Sequence, residues 1–534
     1  MQLRKMDMLG RKSYMVIVVV FVMMFDCIVI ARQGGTMNYY NTYVVNPLVE
    51  ENVFLGMEPE RAKVPKFERI KKDLPQPFWQ TNTDAISCYW KAWEIAFRNV
   101  RKPTPKSGFI ANFIDPAFNN RIFMWDTAYI VMFGRYGIRT FNFQRSIDNF
   151  YAHQHSDGFI CREINESDGA EIFHRFDPSS TGPNILPWSE WEYYLNFADN
   201  ERLERVFPPL LAFYKWFRTW RSWPDGTYYS SGWGCGMDNQ PRLPGGYHAN
   251  WSHGHMSWID TTLQAILAGK ILVQMADIIN RRDDVCDIEK EIEQLTQFVN
   301  SKMWDDKAAF YYDRFRDGRL SKVKTIGAYW ALLADIVPKE RLGRFIEHLN
   351  NPDEFNRPHR VPTLSADNPF YEPTGGYWRG GIWAPTNYMI LRGLSKVGYD
   401  DLAYEIAVNH LNNVVEVFRE TGTIWENYAP EFVKGNNKKD FVGWSGLSPI
   451  AVLFEYVFGL RLDVSNSQLI WDVRLLNEHG VKNYPFGDRG TLGLKCNKRQ
   501  CGSEEPIIEA TSVVPVNLII KWEGGTKSIV LGDN

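Results

Sequence analysis

Apolar positions recur at helical spacing from about residue 84 to about residue 460, and the chain changes character on either side of that span. The pattern predicts helices over 84–99, 124–137, 142–153, 186–198, 200–220, 258–280, 284–303, 322–335, 338–350, 380–397, 399–418 and 441–459. Taken in pairs, these are six successive hairpins. That is the requirement of an (α/α)6 toroid, the six-hairpin barrel in which six inner helices line a core and six outer ones cover them. After Leu460 the period shortens to two. Leu469–Leu475, Thr491–Lys495 and Val516–Trp522 alternate between turn residues and predict a small C-terminal β domain, sandwich-like, over 461–534. Residues 32–83 are polar, contain Pro65, Pro75 and Pro77, and read as an extended lead-in to a mainly α domain over 84–460.

The first 31 residues read as a targeting segment. Arg4, Lys5, Arg11 and Lys12 precede an apolar run from Tyr14 to Phe25, which Asp26 cuts short of the roughly 20 residues that span a bilayer. With the small Ala31 behind it, the run predicts a secretory signal peptide, the alternative being an uncleaved membrane anchor. Both place the protein in the periplasm or outside the cell. A formal charge of −3 and no dense Lys/Arg block exclude a nucleic-acid partner. Seven scattered cysteines exclude a small disulfide framework, although Cys496 and Cys501 are near enough to bridge across a hairpin. No Cys/His spacing resembles a zinc site, and His253-Gly-His255 lacks a third ligand nearby. No metal or cofactor is expected.

Aromatic content changes the picture. Phe, Trp and Tyr make up 15% of the chain with 20 Trp, and many of these Trp stand beside Gly, Asp, Asn or Arg rather than inside apolar periods. The loops that carry them precede the second, fourth, sixth, tenth and twelfth predicted helices. In a ring of alternating helices those connections emerge at one end, so the unusual residues collect at a single mouth. Gly375-Gly-Tyr-Trp-Arg-Gly-Gly-Ile-Trp383 brackets Trp378 and Arg379 with glycine pairs. An indole beside a guanidinium suits a pyranose, which offers an apolar C–H face and hydroxyls.

Five further loops carry carboxyls. Phe123-Met-Trp-Asp-Thr127 sets Asp126 beside Trp125 at a helix start, either as a first-turn charge or as an acceptor for sugar hydroxyls. In Asp157-Gly-Phe-Ile-Cys-Arg-Glu163, Arg162 and Glu163 read equally as rim contacts or as a structural ion pair. In Pro183-Asn-Ile-Leu-Pro-Trp-Ser-Glu190, Trp188 suits the mouth and Glu190 a first-turn charge. Ser231-Gly-Trp-Gly-Cys-Gly-Met-Asp-Asn239 places Asp238 in aromatic surroundings, where desolvation raises a carboxyl toward the range of a general acid. An Asx-turn is the plainer reading of Asp238, and Cys235 lacks the partners of a nucleophile. Finally, Thr421-Gly-Thr-Ile-Trp-Glu-Asn-Tyr-Ala-Pro-Glu431 sets Glu426 between Trp425 and Asn427, with Tyr428 on the same side of an extended segment; Glu431 is the second candidate there. Two carboxyls from different hairpins across a Trp-lined pocket are the minimum machinery of glycoside hydrolysis.

In their order along 84–460, several stretches resemble glycoside hydrolase family 63 and its mannosylglycerate-hydrolase-like (MGH1-like) relatives of the six-hairpin glycosidase fold. They are Trp125-Asp126, Gly236-Met-Asp-Asn239, Trp258-Ile-Asp260, Phe310-Tyr-Tyr-Asp313, Gly376-Tyr-Trp-Arg-Gly380 with Trp383 and Asn387-Tyr388, Glu426-Asn-Tyr428 and Gly443-Trp-Ser445. The resemblance implies Asp238 as general acid and Glu426 as general base of an inverting exo-α-glycosidase. It implies that Trp125, Asp126, Trp378, Arg379 and Trp383 hold the terminal sugar, with Trp233, Asn239, Tyr428 and Trp444 completing the substrate-binding set, and that the enzyme releases a glucose- or mannose-type unit from an oligosaccharide or glycoside without metal or cofactor. Relatives carry Glu-Ser where this chain has Gly234-Cys235, and Ser-Pro where it has Gln240-Pro241, so the leaving-group side is expected to differ. A glycoside phosphorylase would not need Glu426. An epimerase would use histidines, which are scarce in these loops, and a non-catalytic carbohydrate-binding protein would not need both carboxyls.

Overall fold

The computed structural model describes residues 45–532. The predicted N-terminal targeting segment lies outside the described residues. Among the described residues no helix is long and apolar enough to cross a membrane.

The helical span follows the predicted order closely. Its segments are α1 (Thr83–Arg98), α2 (Met124–Gly134), α3 (Asp148–Tyr151, after a 3-10 turn over Phe143–Ser146), α4 (Leu186–Phe197), α5 (Asn200–Trp220), α6 (Ile259–Ile278) and α7 (Cys286–Phe298). They continue with α8 (Trp330–Leu333, after a 3-10 turn over Ile326–Tyr329), α9 (Lys339–Glu347), α10 (Ala384–Lys396) and α11 (Asp400–Thr421). The last, α12, combines a 3-10 turn (Trp444–Leu447) with a π-wound stretch (Ser448–Val457). The eighth is shorter than expected: Thr325 is extended, and its hydroxyl caps the turn by accepting from Gly327 N at 3.1 Å.

Apolar character divides these helices into two sets. Every residue of α2 and of Ser448–Val457 is buried, whereas α7 buries only Ile288 and Leu295, and α9 only Phe345 and Ile346. Helices apolar all round belong inside, and those with a single apolar stripe belong outside. Packing agrees: α2 contacts α4, α4 contacts α6, α6 contacts α8, α8 contacts α10, α10 contacts α12, and α12 contacts α2. Of the odd-numbered helices, α5 and α7 lie against α6, and α11 lies against α10 and α12. A buried polar cluster ties four of the inner helices. Arg135 Nη2 bonds Glu455 at 2.6 Å and its Nη1 bonds Glu192 at 3.3 Å, while the Tyr388 hydroxyl donates to Glu455 at 2.8 Å and Arg392 pairs with Glu192. Both carboxylates are paired and hydrogen-bonded, so removing any one member would leave a buried charge uncompensated.

The C-terminal region is β. One sheet has the order Gln76–Trp79, His479–Phe486, Gly490–Cys496, Ile508–Ser512 and is antiparallel throughout. The other has the order Leu460–Asp463, Gln468–Asp472, Val516–Trp522, Gly525–Leu531, with one parallel pairing between its middle strands. Leu469 and Trp471, and Leu492, Leu494 and Cys496, are buried at alternate positions, so the period of two marks real faces. The lead-in is more structured than an extended segment: it holds single turns at Pro47–Glu50 and Phe67–Ile70, and its strand Gln76–Trp79 pairs with the C-terminal strand His479–Phe486. Cys496 and Cys501 are free thiols, one buried and one exposed, so the suggested bridge is not formed.

Candidate active site

The carboxyl- and tryptophan-bearing loops converge where the even-numbered helices begin. A cavity of about 270 Å³ is lined there by Trp125, Asp126, Arg162, Glu163, Trp233, Asp238, Tyr377, Trp378 and Trp444, together with Phe118, Asn119, Phe123, Met124, Gly182 and Gly236. A larger cavity, about 390 Å³, opens between the later turns of α4, α6 and α10. Its buried carboxylate, Glu192, is already neutralised by Arg135 and Arg392.

Local folding explains how each group arrives. The short strand Arg121–Phe123 pairs with Glu163–Asn165, and Met124 N donates to Arg162 O at 2.8 Å. Arg162 and Glu163 are thereby brought beside Trp125 and Asp126 in the first turn of α2. Arg162 and Glu163 pair with each other at 3.3 Å, and both line the cavity.

Asp238 follows a single helical turn, Gly232–Cys235, capped by the Ser231 hydroxyl accepting from Gly234 N at 3.1 Å. Gly236 then adopts φ 81°, and a Cβ there would stand 3.0 Å from the Trp125 indole, so only glycine fits. Behind this loop lies a chain of cross-links absent from the predicted set. Arg242 holds Asp260 at 2.6 and 2.9 Å and Asp313 at 2.6 and 2.8 Å, with its guanidinium 4.2 Å from the Trp258 ring. The aspartates of the Trp-Ile-Asp and Phe-Tyr-Tyr-Asp motifs therefore anchor the loop from behind. Gln240 does likewise, donating to Thr363 O and accepting from the Thr325 hydroxyl, both at 2.7 Å.

Glu426 lies on the strand Trp425–Tyr428, at a register shift against Gly435–Lys439. Such a bulge re-aims the extra side chain. Lys438 N donates to Glu426 Oε2 at 3.2 Å, and the Ser445 hydroxyl and Trp444 indole donate to its carbonyl at 3.2 and 3.4 Å.

Electrostatics couple these carboxyls. Burial raises Asp238 to about 6, against the opposing pull of Arg162, the backbone, Tyr377 and Trp233. Burial raises Glu426 to about 7, with the Asp238 charge adding to the rise and Lys438 opposing it. Asp126 is pushed well up by burial and then by the Glu426 charge. Both Asp126 Oδ1 and the indole nitrogens of Trp125 and Trp378 are buried without a protein partner. Three polar atoms on one cavity wall are thus available to a ligand with several hydroxyls. Burial pushes the Cys235 thiol far up, so it is no nucleophile.

Not every predicted binding residue forms the wall. Trp383 is fully buried and lies flat behind Trp378, with ring centres 3.9 Å apart and planes 4° apart. Asn239 accepts from Trp378 N at 2.9 Å and donates to Gly376 O at 3.0 Å, which ties the Asp238 loop to the glycine-flanked motif. Tyr428 is buried, accepts from Trp425 N at 3.3 Å through its hydroxyl, and pairs by backbone with Ile382. Arg379 pairs with Glu372 at 3.1 Å outside the lining. The first three support the wall rather than form it, and Arg379 lies apart from it. Glu431 is held by Arg357 at 2.6 Å and the Tyr371 hydroxyl at 2.7 Å beside a different, shallow cavity, and these partners lower its pKa.

Tyr377 was missed by sequence reasoning. Its backbone lies in the left-handed region at φ 64°, where a non-glycine residue costs about 1–3 kcal/mol. Gly381 N and the Trp383 indole hold it there by donating to its carbonyl at 3.2 and 3.1 Å. Its position between two glycine pairs was the available signal.

Comparison with known proteins agrees with this geometry. Residues 120–445 match the mannosylglycerate hydrolase MGH1-like glycoside hydrolase domain. An uncharacterized protein of Borreliella burgdorferi is 25% identical over 372 residues, 67% of this chain and 76% of that one. A probable mannosyl-oligosaccharide glucosidase of Schizosaccharomyces pombe is 24% identical over 279 residues, 46% of this chain and 34% of that protein, so the chain spans about a third of its length. Among solved structures, the GH63 mannosylglycerate hydrolase of Thermus thermophilus in complex with glucose superposes with a TM-score of 0.56 at 20% identity, covering 68% of this chain and 99% of that one. The family match takes in all of the cavity lining except Phe118 and Asn119, and the chain belongs to the MGH1-like glycoside hydrolase family.

Proposed function

We propose that the protein is an inverting, exo-acting α-glycoside hydrolase that releases a glucose- or mannose-type sugar from an oligosaccharide or glycoside, on an (α/α)6 toroid. The closed succession of contacts α2–α4–α6–α8–α10–α12–α2 supports the toroid. The observation that carries the activity is the pair Asp238 and Glu426: Asp238, half-buried, lines the Trp-rich cavity, and Glu426, buried just outside its lining on the strand before Trp444, feels the Asp238 charge.

In this reading the terminal sugar lies between Trp125, Trp378 and Trp444, with Asp126 accepting its hydroxyls. Asp238 gives its proton to the glycosidic oxygen as the bond to the anomeric carbon breaks. Glu426 takes a proton from a water, whose oxygen bonds to that carbon from the opposite face. The products are a free sugar of inverted configuration and the alcohol of the leaving group. A cavity of about 270 Å³ is slightly smaller than typical small-molecule sites, about 300–1,000 Å³, which supports removal of one terminal unit. Export of the protein is part of the same proposal and rests on the N-terminal sequence.

The test pairs turnover with binding. Asp238→Asn is expected to stop hydrolysis of a cleaved α-linked oligosaccharide while calorimetry still detects its binding. Undiminished hydrolysis would remove Asp238 from the mechanism, and binding without turnover in the wild-type protein would favour a carbohydrate-binding protein.

A further inference from the structure

On the Asp238 side, the cavity wall continues outward as aromatic surface that the chemistry above leaves unused. Trp233 is packed edge-on by Trp251, with centroids 4.3 Å apart and planes at 67°. Phe173 closes the cluster at 5.8 Å from Trp233 and 6.0 Å from Trp251. The Arg162 guanidinium lies 4.7 Å from the Phe173 ring. Phe173 is buried, but Trp251 is 42% exposed.

Single exposed aromatics are ordinary on protein surfaces. This one is held in place. Gly232 N donates to Ala249 O at 2.9 Å, Ser252 N to His248 O at 3.0 Å, and the Ser179 hydroxyl to Asn250 O at 2.8 Å. With the Asn250 amide turned so that its oxygen accepts from Trp233 Nε1 at 3.2 Å, its nitrogen donates to the Asp238 carbonyl at 2.6 Å. The neighbour of Trp251 is therefore bonded to the peptide of the proposed acid. A general acid protonates the leaving oxygen, so whatever extends past it is the leaving group. The cavity is small, and a chain of sugars must leave it over this rim. A fixed, half-exposed indole offers the apolar plate that the C–H face of a pyranose covers, at little cost in ordering.

We propose that Trp251 forms a leaving-group subsite, on which a sugar ring beyond the scissile bond stacks. The preferred substrates are then oligosaccharides with a carbohydrate leaving group rather than glycosides of small acids or alcohols. The inference rests on the glycosidase reading and deepens it.

The experiment compares kcat/KM for an α-linked trisaccharide with that for the matching glycosyl fluoride, whose leaving group cannot reach Trp251. It uses the wild-type protein, Trp251→Ala and Trp251→Tyr. The trisaccharide-to-fluoride ratio is expected to fall about tenfold in Trp251→Ala, mainly through KM, and to stay near wild type in Trp251→Tyr. An unchanged ratio, or an equal loss on both substrates, overturns the subsite. If the wild-type protein cleaves neither, the glycosidase reading has failed, and calorimetric titration with the same trisaccharide decides the subsite separately. Roughly tenfold weaker binding by Trp251→Ala upholds it, and equal affinity or no binding by either protein refutes it.

Discussion

Changing the leaving group should change the shape of the pH–rate profile, because Asp238 has a task only when the leaving oxygen needs a proton. Asp238 and Glu426 titrate near 6 and 7, each raised first by burial. Hydrolysis of an oligosaccharide needs one proton in the pair: one carboxyl donates while the other accepts. The singly protonated pair then peaks near pH 6.5 at roughly 60% of the enzyme, about a tenth of it with the proton on Asp238 and Glu426 ionised as the reaction requires, and both fall in proportion, the pair to about 1% at pH 9. The sign follows from the chemistry: raising the pH strips the donor, and lowering it protonates the acceptor. The kcat/KM of an α-linked oligosaccharide should therefore drop about sixtyfold from pH 6.5 to pH 9 and about sevenfold from pH 6.5 to pH 5. The matching glycosyl fluoride leaves without a proton and needs only the ionised acceptor. Its kcat/KM should rise through about pH 7 and stay level to pH 9. The assay is initial rates for both substrates in one buffer series, with circular dichroism confirming that the fold persists at each pH. A common alkaline decline for both would refute Asp238 as proton donor, whatever the midpoint.

Three further outcomes are expected. Glu426→Gln should cost about 10²–10⁴ in rate on both substrates, while Glu431→Gln, at a carboxylate already held by Arg357 and Tyr371, should stay near wild type; the reverse result would exchange their roles. Tyr377→Phe removes a hydrogen bond that lowers the Asp238 pKa, so with Glu426 near 7 the alkaline limb of the oligosaccharide profile should move up by about 0.3 pH unit while the rate at pH 6.5 rises, and an unmoved limb with an unchanged rate would show that the tyrosine does not act on the acid. Arg242→Met leaves Asp260 and Asp313 buried without their cation and should lower stability to chemical denaturation by about 3–5 kcal/mol; a loss under about 1 kcal/mol would mean that the cluster does not anchor the loop.

The fold was legible where burial imposes a period. Helices α2 and α12 are buried all round and the outer ones striped, and the strands near 469, 491 and 516 alternate as their burial does. The strand His479–Phe486 escaped because Gly480, Asn483 and Pro485 read as breakers, and Asn483 does sit at φ 56° within a register irregularity. At the site, residues inside conspicuous loops were found: Trp125, Asp126, Trp233, Asp238, Trp378 and Trp444 line one cavity. What a sequence does not separate is wall from backing. Trp383 and Trp378 have similar surroundings in the chain, yet one stands behind the other. Arg242 was invisible because its partners Asp260 and Asp313 are 18 and 71 residues away. Asn239, expected at the substrate, instead joins two loops 137 residues apart.

The central claim is that Asp238 and Glu426 hydrolyse an α-glycoside with inversion. It is tested most directly by an NMR time course on a panel of α-linked gluco- and manno-oligosaccharides, following the anomeric protons of the released sugar. The account expects the β-anomer to appear first from at least one member, with the α-anomer growing in only as mutarotation proceeds. The α-anomer appearing first would contradict it.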